Sequence, residues 1–343
     1  MSEGRLFAAD KKLQSIPEKY FDVLKIVREE ARNGKLTYDL LENPGQILIF
    51  DQNSKQIAIL ERSYISSKLQ KIFEKIKNST SSTFSIPLAE EVMKYLFCKN
   101  IKAGSSKKSD IFLMIYDRIS PTTPDLGFSI KSMMGSPSTL LNASKATNFI
   151  FKIVGKKIQS NELEKIEGRS KLRECLKFIE STGARIEYVK MENSNFEKNL
   201  RMIDTIFPQM IAEAIRTFYE GKGNSLFEII NSLENEKILE SKFNFSKDDY
   251  LYKIKHFLAS IALGMTPVKK WDGFNKAHGG YIIVKEDGEL VCYHLYNSDE
   301  FQEYLFENTK LETPSTKRHG FGYLYEDNEE QFIKLNLQIR FIR

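Results

Sequence analysis

Apolar residues recur along the chain with two periods, one of three to four residues and one of two, and these predict its elements. Over 16–28 the stripe Tyr20, Leu24 and Val27, with Pro17 near the first turn, predicts an amphipathic helix. Residues 45–50 read as a short strand, and 65–76 as a second helix with lysines on its outer face. An N-terminal, mainly helical region is therefore expected over 1–80, closing on the polar run 77–83. The next stretch, 81–194, reads as a mixed core. It has a helix over 86–97 opened by Pro87, strands over 110–117 and 126–131 joined by a proline-containing loop, and strands over 149–154 and 186–189. Four helices follow, at 196–206, 209–219, 225–233 and 248–263. Beyond the break at 264–280 lie a hairpin (281–284 and 290–295), a short helix (301–306) and a last strand (332–341). Residues 195–343 thus read as a helical segment plus a β-rich region, which can share one compact domain with the core.

Length and composition narrow the class without naming a job. A chain of 343 residues suits one large domain or two modest ones. With 41% hydrophobic and 28% charged residues it is neither a disordered tail nor a disulfide scaffold. No apolar run approaches the roughly 18 residues of a membrane helix, and the first residues hold no signal-peptide core. No membrane partner is expected. Cys98, Cys175 and Cys292 are far apart and odd in number, so they read as free thiols of a reducing cytoplasm. The net charge of +5 is mild, and its placement carries more than its size.

One constellation can do chemistry. Asp110 opens the first middle strand, and Ser129 and Lys131 lie two apart on the second, facing the same way. If the strands pair as a hairpin, the three side chains converge. A carboxylate beside a lysine suits metal-dependent phosphodiester cleavage: the carboxylate holds Mg²⁺ and the ammonium offsets phosphate charge and orients water. In such nucleases an aspartate is followed, after a gap, by Asp/Glu-x-Lys; here Ser129 fills the acidic slot. A second carboxylate must come from elsewhere, and the helix over 86–97 offers Glu91 and Glu90. Glu91, beside Tyr95 at the edge of the apolar stripe, is favoured as the metal ligand to accompany Asp110. Asp125 shares a strand with Lys131 and forms no hairpin with it. In a plain structural reading, Asp110 only caps a strand and Lys131 is a solvated strand lysine.

Three segments suit nucleic acid. Residues 132–148 hold no acid and present Ser136, Ser138, Thr139, Asn142, Ser144, Lys145 and Asn148, donors and acceptors for phosphates and base edges. Thr316, Lys317, Arg318 and His319 form a basic loop whose arginine can read guanine. Lys269 and Lys270, beside the sole tryptophan, can meet phosphate, although Trp271 reads equally as a hydrophobic anchor. None of the four histidines pairs at metal spacing, and His256 fits an apolar helix core.

Three runs carry a family resemblance: Lys108-Ser109-Asp110-Ile111, Leu126-Gly127-Phe128-Ser129-Ile130-Lys131-Ser132 and the long motif over 135–149. With them go 279–285, Tyr293-His294, Thr313-Pro314-Ser315-Thr316-Lys317-Arg318-His319 and 334–341, and the whole resembles the HpaII-type restriction endonucleases over most of the chain. The resemblance implies a mixed α/β (α+β) fold with a PD-(D/E)xK core sheet flanked by helices, plus helical and β-rich additions. It implies a Mg²⁺-dependent type II enzyme of the bacterial cytoplasm that cuts both strands of duplex DNA at CCGG or a related palindrome. It further implies a homodimer on double-stranded DNA, and a cognate DNA methyltransferase that acts on the same site without stable contact. Asp110 and Lys131 would be the motif aspartate and lysine, with Ser129 between them. Family members are expected to carry a helix with a Ser-Glu pair ahead of the segment matching Gly4-Arg5-Leu6-Phe7; here Met1-Ser2-Glu3 runs straight into it, as if shortened, with Glu3 as a remnant. Two other readings stay open: a DNA-binding relative that has lost catalysis, and a structure-selective repair nuclease on the same fold.

Overall fold

The alternation of Phe21, Val23 and Val27 as buried positions makes residues Ser15–Glu30 a long strand, not the helix that Tyr20, Leu24 and Val27 predict. Aromatic and β-branched side chains favour the pleated state when neighbouring strands are available on both sides. That is the case here, and it corrects the helical reading of most of 1–80. The structure is a computed structural model that describes residues 4–30, 34–41, 45–79, 84–98, 109–118, 121–135, 137–159, 163 and 171–342. The expected N-terminal remnant around Glu3 lies outside the described residues. The chain divides into two compact units, Met1–Ser138 with Asn275–Tyr304, and Thr139–Phe274 with Leu305–Arg343.

The first unit is built on nine strands: β1 (Arg5–Ala9), β2 (Ser15–Glu30), β3 (Gly34–Asp39), β4 (Gln46–Phe50), β5 (Gln56–Glu61), β6 (Ile111–Tyr116), β7 (Asp125–Ser132), β11 (Gly280–Val284) and β12 (Leu290–His294). Their order is β1-β12-β11-β7-β6-β2-β3-β4-β5, and β1 also pairs with β2. Six strands therefore close on themselves as a barrel, and β3 to β5 extend it. Each of the six contributes to one apolar cluster: Leu6, Phe21, Val23, Leu113, Ile115, Phe128, Ile282 and Cys292. Because side chains alternate along a strand, Phe128 points into this cluster while Ser129 and Lys131 emerge on the other face of β7. β11 can approach β12 only at a glycine: Gly280 has φ +117°, and a Cβ there would lie 1.9 Å from the Tyr293 carbonyl. Two helices accompany the sheet, α1 (Arg62–Lys77) and α2 (Pro87–Tyr95), the latter opened by its proline as expected. Tyr95 and Leu96 pack on Tyr38, Ile49 and Leu60, and the Tyr38 hydroxyl donates to the Leu96 carbonyl at 2.9 Å.

The second unit holds a four-stranded antiparallel sheet in the order β10 (Arg185–Met191), β9 (Asn148–Val154), β15 (Glu330–Asn336), β14 (Leu324–Asp327). A smaller sheet joins β13 (Thr309–Leu311), β16 (Ile339–Phe341) and β8 (Thr139–Leu141). The four helices read from the sequence form, as Ser194–Ile203, Phe207–Tyr219, Leu226–Asn235 and Lys247–Leu263. The last two open with capping boxes, Ser225 with Glu228 and Ser246 with Asp249, which satisfy amides that a helix start leaves free. The single strand expected over 332–341 is two, in different sheets. Leu337 leaves the ladder and donates its amide to the Thr147 carbonyl at 3.0 Å.

Candidate functional site

The hairpin expected of β6 and β7 forms, with Ile111 opposite Phe128. The Asp110 amide donates to the Phe128 carbonyl at 2.8 Å, which sets Asp110 beside Ser129. Asp110 Oδ2 then accepts from Ser129 Oγ at 3.1 Å and from the Ile130 amide at 2.7 Å. Two donors on one oxygen hold the carboxylate in a single orientation. Ser129 thus occupies the slot of an acid and supports the acid that is present. Asp110 itself is exposed.

Lys131 follows two residues on, on the same face. Along β11 its register neighbour is Ile283, and that of Ser129 is Tyr281; both have 0% exposure. This apolar flank desolvates the ammonium and pushes the Lys131 pKa down, against the opposing charge of Asp110. A cation that is partly stripped of water and close to a carboxylate is suited to meet a phosphate.

The carboxylates of α2 are engaged locally. Glu91 accepts from Lys68 Nζ at 2.8 Å and from the Tyr64 hydroxyl, and these two contacts, the lysine first, hold it below the usual carboxylate range. Glu90 accepts from Ser85 Oγ at 2.9 Å. Among the described residues no three His, Cys, Asp or Glu side chains gather as a metal-holding group. The hairpin assembles Asp110, Ser129 and Lys131; the contacts of Glu91 and Glu90 are with α1 and Ser85.

The second unit brings two of the expected DNA-contact segments together. Ser144 caps a short 3-10 turn, Lys145–Thr147, its Oγ accepting from the Ala146 amide at 3.2 Å. Ser315 caps the helix Thr316–His319, its Oγ accepting from the Arg318 amide at 3.3 Å. Asn148 Nδ2 donates to the His319 carbonyl at 3.0 Å, which ties one segment to the other. Asn142, Lys145, Lys317 and Arg318 are exposed, whereas Ser144, Thr316 and His319 are half-buried. Thr139 lies on β8 opposite Arg340, and Ser138 is half-buried at the end of the first unit. Ser136 lies outside the described residues. Asn148 has 0% exposure, so it supports the loop from beneath and offers no surface to a base.

Lys269 and Lys270 are exposed on a loop held from below by Asn199. The Asn199 amide donates to the carbonyls of Thr266 (3.0 Å) and Lys269 (2.8 Å) and accepts from the Trp271 amide (2.8 Å). Trp271 Nε1 turns back to the Phe274 carbonyl at 3.1 Å. Asn336 and Glu192, which hydrogen-bond the Asn148 side chain, and Asn199, which holds the lysine loop, escaped the sequence reading. The available signal was an amide in an otherwise apolar setting: Asn336 stands between Leu335 and Leu337. The Asn336 amide nitrogen finds acceptors there, while its Oδ1 is buried without a partner among the described residues; most buried polar groups are hydrogen-bonded.

The model of the HpaII restriction endonuclease family matches residues 1–341. The type II restriction enzyme HpaII of Haemophilus parainfluenzae is 40% identical over 343 residues, covering 100% of this chain and 94% of that protein. No solved structure matches the chain. No helix among the described residues is long and apolar enough to cross a membrane. A family model matched nearly end to end and a full-length relative of this identity together mean that the chain belongs to the HpaII restriction endonuclease family.

Proposed function

We propose that this member of the family, a type II site-specific deoxyribonuclease, hydrolyses both strands of duplex DNA at CCGG or a closely related palindrome with Mg²⁺ as cofactor. The observation that carries the reading is the hairpin group: an oriented Asp110 carboxylate, Ser129 beside it, and a partly desolvated Lys131 two residues on. An antiparallel β6–β7 pair with β11 parallel to β7 supports a PD-(D/E)xK type of core in the first unit, built from strands on both sides of 139–274. Mg²⁺ commonly binds through one or two carboxylates and completes its shell with water and substrate phosphate. Asp110, exposed and held by two donors on one oxygen, fits the part of such a ligand. The ion would supply Lewis-acid charge to the scissile phosphate. Lys131 would hold a phosphate oxygen and orient the attacking water, and Ser129 would keep Asp110 aimed. Double-stranded DNA would be gripped by residues from 136–145, by Thr316, Lys317, Arg318 and His319, and by Lys269 and Lys270. A palindromic site calls for a two-fold symmetric homodimer, and host DNA would be protected by a methyltransferase of the same specificity in the bacterial cytoplasm.

Incubating purified protein with plasmid DNA and Mg²⁺, then sequencing the new ends, tests this directly. Discrete fragments ending at one palindrome are expected. Intact DNA with a gel shift would point to a DNA-binding relative without catalysis, a reading that Ser129 in the acidic slot favours. Cuts without fixed sequence would point to a structure-selective nuclease.

Glu91 is the proposed second carboxylate, released from Lys68 when a cation and DNA arrive. Glu91→Gln should then lose most cleavage, by about 10²-fold, and need more Mg²⁺, while Glu90→Gln stays near the parent. Titrating Mg²⁺ against cleavage rate for both variants checks this, and full activity of Glu91→Gln sends the search for the second carboxylate elsewhere.

A further inference from the structure

Asn336 closes β15 with 2% exposure, and its register partner on β9 is Asn148 with 0%. The Asn336 amide donates to the Ser144 carbonyl at 2.8 Å, to Thr147 Oγ1 at 3.1 Å and to Asn148 Oδ1 at 2.6 Å. The Asn148 amide donates in turn to the His319 carbonyl at 3.0 Å and to Glu192 Oε2 at 2.7 Å. Glu192 is also paired with Lys334 Nζ at 3.1 Å, and the backbone carbonyl of Asn336 accepts from the buried Tyr219 hydroxyl at 3.0 Å. Thr147 adds two bonds of its own: its Oγ1 accepts from the Ser144 amide at 3.1 Å and donates to the Ser144 carbonyl at 3.0 Å.

Two backbone carbonyls, of Ser144 and His319, are therefore gripped by one pair of buried amides. They belong to separate segments that bear the exposed cations Lys145 on one side and Lys317 and Arg318 on the other. The segments converge closely enough that a Cβ on Gly320 would lie 3.8 Å from Lys145 Cε. Bidentate reading of a base edge tolerates only about half an ångström of misplacement. Two loops that moved independently would each bind phosphate but would not hold an arginine in register with a base.

We propose that Asn336 and Asn148 are positioning residues for sequence recognition, locking residues 142–147 and 315–320 into one rigid surface that reads double-stranded DNA. The inference rests on the proposed DNA-facing role of that surface and goes beyond it, because neither asparagine needs to touch DNA. The group lies in the second unit, whereas Asp110 and Lys131 lie in the first, so its loss should spare the chemical step.

The test uses the full chain with duplexes that carry the cognate site or one altered base pair. Asn336→Ala is expected to raise KM about tenfold and cut discrimination against the altered site by about the same factor, with kcat within about threefold. Thr147→Val keeps the side-chain shape and removes the two bonds to Ser144 and the one from Asn336 while leaving the Asn336 bond to the Ser144 carbonyl, so it provides a milder variant should Asn336→Ala not fold. It should show the same pattern at reduced size. Near-UV circular dichroism and assay well below the melting point establish folding. Arg318→Ala, made in the parent and in each variant, provides the readout that a merely structural role would not move. If the asparagines position Arg318, its removal costs much less affinity in the variants than in the parent. Parental KM and discrimination in a folded variant, or an Arg318→Ala cost that is the same in every background, would overturn the proposal while leaving the surface a DNA contact. If Arg318→Ala and Lys145→Ala leave the affinity of the parent unchanged, the surface does not face DNA and the underlying reading fails as well.

Discussion

Lys131→Ala should reduce DNA cleavage by about 10²–10³-fold, the usual cost of removing one preorganised stabiliser of transition-state charge, while specific binding survives. Binding draws on many contacts, whereas the ammonium at this position is placed beside Asp110 and flanked by Ile283, where few waters compete for it. Single-turnover cleavage and a gel shift on the same duplex separate the two effects. Cleavage at the parental rate would remove Lys131 from the site. The lowered pKa adds a stability signature. The folded state binds this proton less well than the unfolded chain does. Stability is therefore reduced as pH falls from the free-lysine value of 10.5 through the folded value, and the deficit is complete below the folded value. Lys131→Met, similar in length and uncharged, should melt higher than the parent at pH 7 while cutting as poorly as the alanine variant. A lower melting temperature would mean that the charge is stabilised where it sits. Such a gain in stability on loss of a functional charge is the ordinary trade at active sites.

Asp110→Asn should be at least as damaging, with cleavage down by about 10³-fold or more, because it removes the charge that would hold the metal. The fold should be spared. A carboxamide oxygen can still accept from Ser129 Oγ and the Ile130 amide, so the local hydrogen bonds have an isosteric replacement. The decisive measurement is cleavage across a Mg²⁺ titration, with the melting curve as a control. A variant that regains the parental rate at high Mg²⁺ would show Asp110 to be a weak contributor to metal binding. One that cuts normally at all concentrations would remove it from the site.

How much of this was legible beforehand depended on range. The β6–β7 hairpin could be read because both strands are short, apolar and near in sequence, and because Ser129 and Lys131 sit at the same-face spacing of a strand. The helix opened by Pro87 and the hairpin of β11 and β12 could be read for the same local reasons. The strand Ser15–Glu30 could not. Its apolar residues fit a helical stripe, and only β1, β3 and β6, brought from both sides, select the alternating pattern. The last strand split at Leu337 because Thr147, 190 residues earlier, supplies the carbonyl its amide needs.

Residue types and local spacing were thus enough for the kinds of chemistry present: a strand-borne Asp, Ser and Lys, a hydroxyl-rich loop without acids, and a basic turn at Arg318. Family membership followed from the same motifs. Which of these groups meet was settled by pairing in the folded chain, local for the β6–β7 hairpin and long-range for the rest. Backbone hydrogen bonds in β6 and β7 set Asp110 against Ser129, a local ion pair took Glu91, and two buried amides joined Ser144 to His319. A buried amide must find its partners wherever the folded chain provides them, and no periodicity along the sequence encodes that choice.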